Sequence, residues 1–143
     1  MSMIGLCGDN CQFCPRYIAA QNGSIEEYVK VKELWIRLGL RSLGFPVEDM
    51  ACHGCKPENK CAYKELRECV IKKGCKNCGL CDEYPCELIM STFKKSEKLR
   101  SKAAKVCNKE EMNMLQKAFF LKKEYFDQIC QKQRRKAFKY SKV

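Results

Sequence analysis

Histidine is almost absent from this chain: there is one, His53. A Ser-His-Asp or Cys-His relay would have to run through that residue, so such chemistry is not expected. Long apolar runs are missing as well. No stretch approaches the roughly 18 apolar residues of a membrane span, and no membrane association is expected. The opening "MSMIGLCGDN" has no basic segment ahead of its short apolar run. No signal peptide is therefore expected, and the cytoplasm is the default compartment. No convincing strand longer than a few residues, no glycine-rich cofactor loop and no internal repeat beyond recurring C-x2-C pairs is present. Those absences leave a helical chain with loops, and little or no regular β-sheet.

Cysteine is abundant instead: 13 of 143 residues. That fraction is near the level of a covalently or metal-stapled scaffold. In a reducing cytoplasm clustered thiols read as metal ligands or reactive groups rather than disulfides. The odd count also disfavours a fully paired disulfide framework. Eleven of the cysteines lie between Cys7 and Cys86, and only Cys107 and Cys130 follow. Charge divides the other way. Residues 1–93 hold 12 basic and 12 acidic residues, whereas residues 94–143 hold 16 basic and 5 acidic, the whole +11 of the formal charge. Two regions follow from this: a cysteine-rich metal-binding domain over 1–93 and a basic helical extension over 94–143.

Helical signals fill the space between cysteine loops. Pro15 suits a first helical position, giving a short helix over 15–21. Ser24-x-x-Glu27 has a capping-box pattern, and Tyr28, Val31, Leu34, Trp35 and Leu38 recur at helical spacing, so a second helix should run to about Leu40, with Trp35 in the core. Residues 44–61 read as loop, 62–73 as helix with Gly74 just past its end, and 75–84 as loop. Pro85 should start another helix, followed by a short basic one over 96–106. Asn108-x-x-Glu111 should cap a last long helix with Met112, Leu115, Phe119, Phe126 and Ile129 on one face. Continuous to Phe138, it would be about 45 Å long.

The cysteine spacings carry the chemistry. C-x2-C occurs at Cys11/Cys14, Cys52/Cys55, Cys75/Cys78 and Cys78/Cys81. Two intervening residues let a tight turn present both sulfurs to one ion, and two such pairs complete a tetrahedral S4 site. Metal binding of this kind can contribute about 10 kcal/mol or more to folding a small module. The candidate ligands are Cys7, Cys11, Cys14, Cys52, Cys55, Cys61, Cys69, Cys75, Cys78, Cys81 and Cys86. We expect two or more zinc ions. Cys11/Cys14 should share one ion with Cys52/Cys55, and a second should draw on Cys61, Cys69, Cys78, Cys81 and Cys86. Cys7 is then a spare or a third-site ligand. Cys107 and Cys130 read as small buried apolar side chains.

An iron–sulfur reading competes. Cys7, Cys11 and Cys14 form C-x3-C-x2-C, the spacing found in radical S-adenosylmethionine enzymes, and Cys75, Cys78 and Cys81 repeat the C-x2-C-x2-C of bacterial ferredoxins. Cys86 follows after four residues rather than three, with proline before it instead of after. The chain is too short and too helical for the barrel a radical enzyme needs, so a [4Fe-4S] cluster in electron transfer or redox sensing is the alternative kept. His53 within "CHGC" is expected to be exposed. Asp9, Asp82 and Glu83 lie beside cysteines but read as surface charges, and Tyr84 should pack over a site.

"CGDNCQFCPRYIAAQN", then "LW", then "CHGC", then "KCAYKELRECVIKKGCKNCGLCDEYPCELI" form a serial pattern. In it, residues 5–92 resemble the cysteine-rich bacterial and archaeal family called domain of unknown function 3795. That resemblance implies a small cytoplasmic, zinc-binding protein with no settled activity. It places Cys7, Cys11, Cys14, Cys52, Cys55, Cys61, Cys69, Cys78, Cys81 and Cys86 at family cysteine positions. The sequence departs from the pattern at Lys64, where the family usually has cysteine, and at Cys75, where it more often has an aliphatic residue.

The extension mixes aromatic and basic residues in "KAFFLKKEYFDQICQKQRRKAFKY". Two readings stand side by side. Its helix can lie on nucleic acid or on an acidic protein. Alternatively, it packs an apolar stripe on the cysteine-rich domain and leaves an ordinary solvated basic face. Binding or assembly is the expected role rather than catalysis, with metal handling or thiol redox chemistry as a further alternative.

Overall fold

The computed structural model describes residues 4–54 and 63–141, with side chains described as far as Phe138. Among the described residues the architecture is all-α, and the single β feature is an isolated antiparallel bridge between Ile4 and Asn10. The helices are α1 (Pro15–Asn22), α2 (Ile25–Arg37), α3 (Lys64–Lys73), α4 (Glu87–Val106), α5 (Lys109–Phe119) and α6 (Lys122–Ser141). Short 3-10 turns at Cys11–Phe13, Val47–Met50 and Cys78–Leu80 carry the loops. The mostly helical reading of the sequence therefore holds.

Local signals set most helix ends. Pro15 opens α1 and Gly23, at φ 68°, closes it. Helix α2 stops at Arg37, short of the expected Leu40, because Gly39 takes φ 75°. The Gly39 N–H donates to the Ile36 carbonyl and the Leu40 N–H to Trp35, the paired bonds of a Schellman ending. Ser24 caps α2 without a side-chain hydrogen bond, so the expected capping box is not made there. Helix α3 ends as read, with Gly74 in the left-handed region. Its N–H donates to Ile71 and that of Cys75 to Val70, turning the chain back along α3.

Two helices depart from the sequence reading. The pair expected either side of residue 94 is the single helix α4, so the step in charge falls inside it. Ile89 and Phe93 from its first half enter one hydrophobic core, and Leu99, Ala103 and Val106 from its second half pack on another. Packing on both cores along its length is a reason for it to stay unbroken. The last long helix is instead broken between α5 and α6 at Phe120–Leu121. The Asn108/Glu111 capping box does form, at 2.8 and 2.9 Å. The break occurs where the Asn10 N–H, arriving from the first cysteine loop, donates to the Ala118 carbonyl at 2.8 Å. It turns Phe119 and Phe120 into the core that holds Trp35, and Phe126 into the core that holds Tyr84.

The extension is thus part of the packing. Phe119 meets Trp35 edge-on at 6.0 Å, and Phe126 meets Tyr84 edge-on at 6.2 Å. Leu115 and Phe126 are fully buried. The apolar-stripe reading is the one observed for these aromatics, and they are not available to stack on bases. Trp35 is core, as expected.

Candidate functional site

Eleven cysteines lie among the described residues, and none of them is in a disulfide. Nine of them line two separate cavities.

The first cavity, about 120 Å3, is lined by Cys7, Cys11, Cys14 and Cys52. Its floor is a tight loop: the Gly5 N–H donates to the Asp9 carbonyl and the Gly8 N–H to Gly5. Gly8 has φ 89°, and a Cβ there would stand 2.7 Å from the Phe126 ring and 2.9 Å from Lys122 Cβ. Only glycine lets this loop sit so close to α6. Cys14 then caps α1. Cys52 arrives from 38 residues further on because Arg16, 6% exposed, holds the chain before it. The Arg16 Nε donates to the Met50 carbonyl at 2.7 Å, and its Nη2 to those of Asp49 and Ala51 at 2.8 and 3.2 Å.

Electrostatics in this cavity are unusual. Burial pushes the Cys14 thiol up to about 12; the Tyr17 and Arg16 amides oppose this, and the charges of Asp9 and Cys52 add to it. Asp9, read from sequence as a surface charge, is instead paired with Lys122 at 2.6 Å, the two side chains being 13% and 2% exposed. Burial raises the Asp9 carboxyl while Lys122 opposes it. Burial would lower the Lys122 ammonium, but Asp9, Tyr63 and Cys7 outweigh that and hold it above its ordinary value. The Tyr63 ring lies 4.2 Å beneath the Lys122 ammonium. A third cation, Arg67 of α3, lines the cavity and is 4% exposed. Its guanidinium has no hydrogen-bond or ion-pair partner among the described residues.

The second cavity, about 20 Å3, is lined by Cys69, Cys75, Cys78, Cys81 and Cys86. Cys69 comes from α3, Cys78 from the 3-10 turn and Cys86 from the residue capping α4. The Cys81 N–H donates to the Cys78 carbonyl and the Tyr84 N–H to Cys81, so consecutive turns wrap one point. A Cβ on Gly79 would stand 2.9 Å from the Phe126 carbonyl oxygen and 2.9 Å from Ile129 Cβ, which makes this turn a second glycine seat on α6. Burial, then the neighbouring Cys86, Cys69, Cys81 and Cys75, push the Cys78 thiol up to about 12. Lys73 Nζ stands 3.9 Å from Cys81 Sγ and also pairs with Glu83. Tyr84 lines the cavity, and its hydroxyl donates to Asp127 Oδ1 on α6 at 2.7 Å.

Cys7, Cys11, Cys14 and Cys52 share the lining of the first cavity, and Cys69, Cys75, Cys78, Cys81 and Cys86 that of the second. Cys55 and Cys61 lie outside the described residues. Cys107 ends α4 and Cys130 lies on α6, both half-buried. His53 is exposed, as expected. Among the described residues, no three or more His, Cys, Asp or Glu side chains converge as they would around a bound ion. Sequence reasoning missed Arg16, Arg67 and Lys122. Arg67 did leave a trace, since it falls on the face of α3 that buries Leu66 and Val70.

A family model described as a protein of unknown function (DUF3795) matches residues 3–91. No curated protein and no solved structure matches the chain. Among the described residues no helix is long and apolar enough to cross a membrane.

Proposed function

The chain belongs to the DUF3795 family of proteins of unknown function, and from that premise we propose that it is a metal–thiolate protein with two cysteine-ligated centres and a binding or assembly role. One observation carries the reading: nine of the described thiols are sorted into two cavities, four in one and five in the other. The donor set is all sulfur, which fits thiophilic ions and excludes hard cations such as magnesium. Zinc is the ion we assign to the second cavity, whose volume of about 20 Å3 fits one ion. Its five thiols exceed the four a tetrahedral ion needs, so one is left open to exchange, which supports metal handling or thiol redox chemistry as a second reading.

Binding a partner is assigned to the far end of α6. Lys132, Arg134, Arg135 and Lys136 are all exposed there. Phe119 and Phe126 are buried, so the surface offered to a nucleic acid or an acidic protein is chiefly cationic, with the exposed Phe138 beside the basic residues.

Metal analysis of anaerobically purified protein tests the central claim. Metal at both centres, lost one centre at a time in Cys14→Ser and Cys78→Ser variants, is the expected result. A folded protein with a sharp thermal transition and no bound metal would overturn it.

A further inference from the structure

The two cavities differ sixfold in volume, about 120 against about 20 Å3. The smaller is the size of one water or one ion. The larger is too roomy for a single ion ringed by thiolates, yet it too is lined by four cysteines. Its walls are largely apolar, with Trp35, Leu40, Leu99 and Phe119 among them. Arg67 adds a second, independent observation. Arg67 is 4% exposed and lines this cavity, and a guanidinium so placed favours an anionic occupant. Asp9, the nearby carboxylate, is already taken by Lys122. An anionic occupant of the cavity would answer Arg67 directly.

We propose that the first cavity takes an iron–sulfur cluster of the [4Fe-4S] class, ligated by Cys7, Cys11, Cys14 and Cys52, with Arg67 as its counter-charge. The proposal rests on the metal–thiolate reading above. A cuboidal cluster needs several times the room of one ion, and its four ligands surround a volume rather than meet at a point. With four thiolates it carries net negative charge, which Arg67 answers from the cavity wall. The C-x3-C-x2-C turn supplies three ligands in one pass, and the Arg16 clamp on residues 49–51 supplies the fourth from Cys52. The centres are thus unlike: a cluster in the first cavity and a single zinc in the second.

The full chain, purified anaerobically and reconstituted with ferrous iron and sulfide, is analysed for iron, sulfide and zinc and by absorption. The expected result is about four iron and four sulfide with one zinc per chain, and a broad band near 400 nm. A Cys11→Ser/Cys14→Ser variant should lose the band and keep the zinc, and Cys78→Ser/Cys81→Ser should do the reverse. Arg67→Gln, which leaves every ligand in place, should lower the reduction potential of the cluster, because removing a cation disfavours the added electron; Arg67→Lys should restore most of it. Zinc at both centres with no 400 nm band after reconstitution would overturn this proposal while leaving the metal–thiolate reading intact. No metal at either centre would overturn both. A band that survives in the Cys11→Ser/Cys14→Ser variant, or a potential indifferent to Arg67→Gln, would also overturn the assignment.

Discussion

The second cavity draws its five cysteines from the 18 residues between Cys69 and Cys86, whereas the first draws four from the 46 residues between Cys7 and Cys52. The difference is one of how closure is achieved. Around the second cavity the chain turns on itself through Gly74, the Cys78–Leu80 turn and the cap at Cys86, each set by neighbours in sequence. Around the first, Cys52 is held by Arg16 acting on a segment more than 30 residues away. A long loop costs little more to close than a short one, but its closure needs a specific contact to fix where the end lands. Arg16 is that contact. Both cavities then share one support, since Gly8 from the first and Gly79 from the second press on the same stretch of α6 around Phe126.

Truncating that shared support should erase the difference between the cavities. Phe126 is fully buried and touches both glycine seats, so Phe126→Ala should cost about 4 kcal/mol and lower metal retention at both centres, read by denaturant unfolding and metal analysis.

Cutting the Arg16 clamp should instead sharpen it. Arg16→Met frees three carbonyls that a charged donor now satisfies, at a cost of about 2–3 kcal/mol. Metal should be lost from the first centre while the second keeps its zinc. Equal loss from both would show that the clamp is not what sets the first cavity apart.

A smaller effect is expected on the other side. Tyr84→Phe removes the 2.7 Å hydroxyl bond to Asp127 that ties the second cavity to α6, and should cost about 1 kcal/mol in thermal or chemical unfolding. It should quicken zinc release to a chelator and leave the first centre unchanged.

The smallest effect lies away from both cavities and serves as the control. Arg37 hydrogen-bonds Glu111 at 3.0 Å and holds its carboxyl below the ordinary range; burial opposes this, and the Asn108 amide adds to it. A lowered carboxyl contributes stability above its unfolded value and loses it as pH falls through the folded one. Glu111→Gln keeps an acceptor for the Asn108 N–H and removes only the charge. It should cost about 0.5 kcal/mol at pH 7 and nothing once the pH is well below 4.5, as measured by melting at a series of pH values.

Local code made several features legible in advance. Pro15, Gly74 and the Asn108/Glu111 box lie where they were read, because each acts within four or five residues. The same kind of code was overread at Ser24, where the residue types are right but the side-chain bond is not made, and underread at Gly39, which ends α2 early. The spacing divides the cysteines into two groups, but it does not place Cys7 on the wall of the first cavity or Cys75 on that of the second. Nothing in C-x3-C-x2-C says that Cys7 faces the same space as Cys52, and Asp9 reads as a surface charge until Lys122 is brought against it.

Sequence alone determined that the chain is helical, that most of its helices end where local chemistry ends them, and that its thiols recur at C-x2-C spacing. These follow from hydrogen bonds and turns that close within a few residues. Tertiary structure alone decided that α4 runs unbroken past the step in charge, that the last helix breaks where Asn10 takes the Ala118 carbonyl, and that Arg67 is buried beside four cysteines. Each of those depends on which distant surfaces compete for the same backbone group or the same buried volume. That competition is settled only when the elements pack.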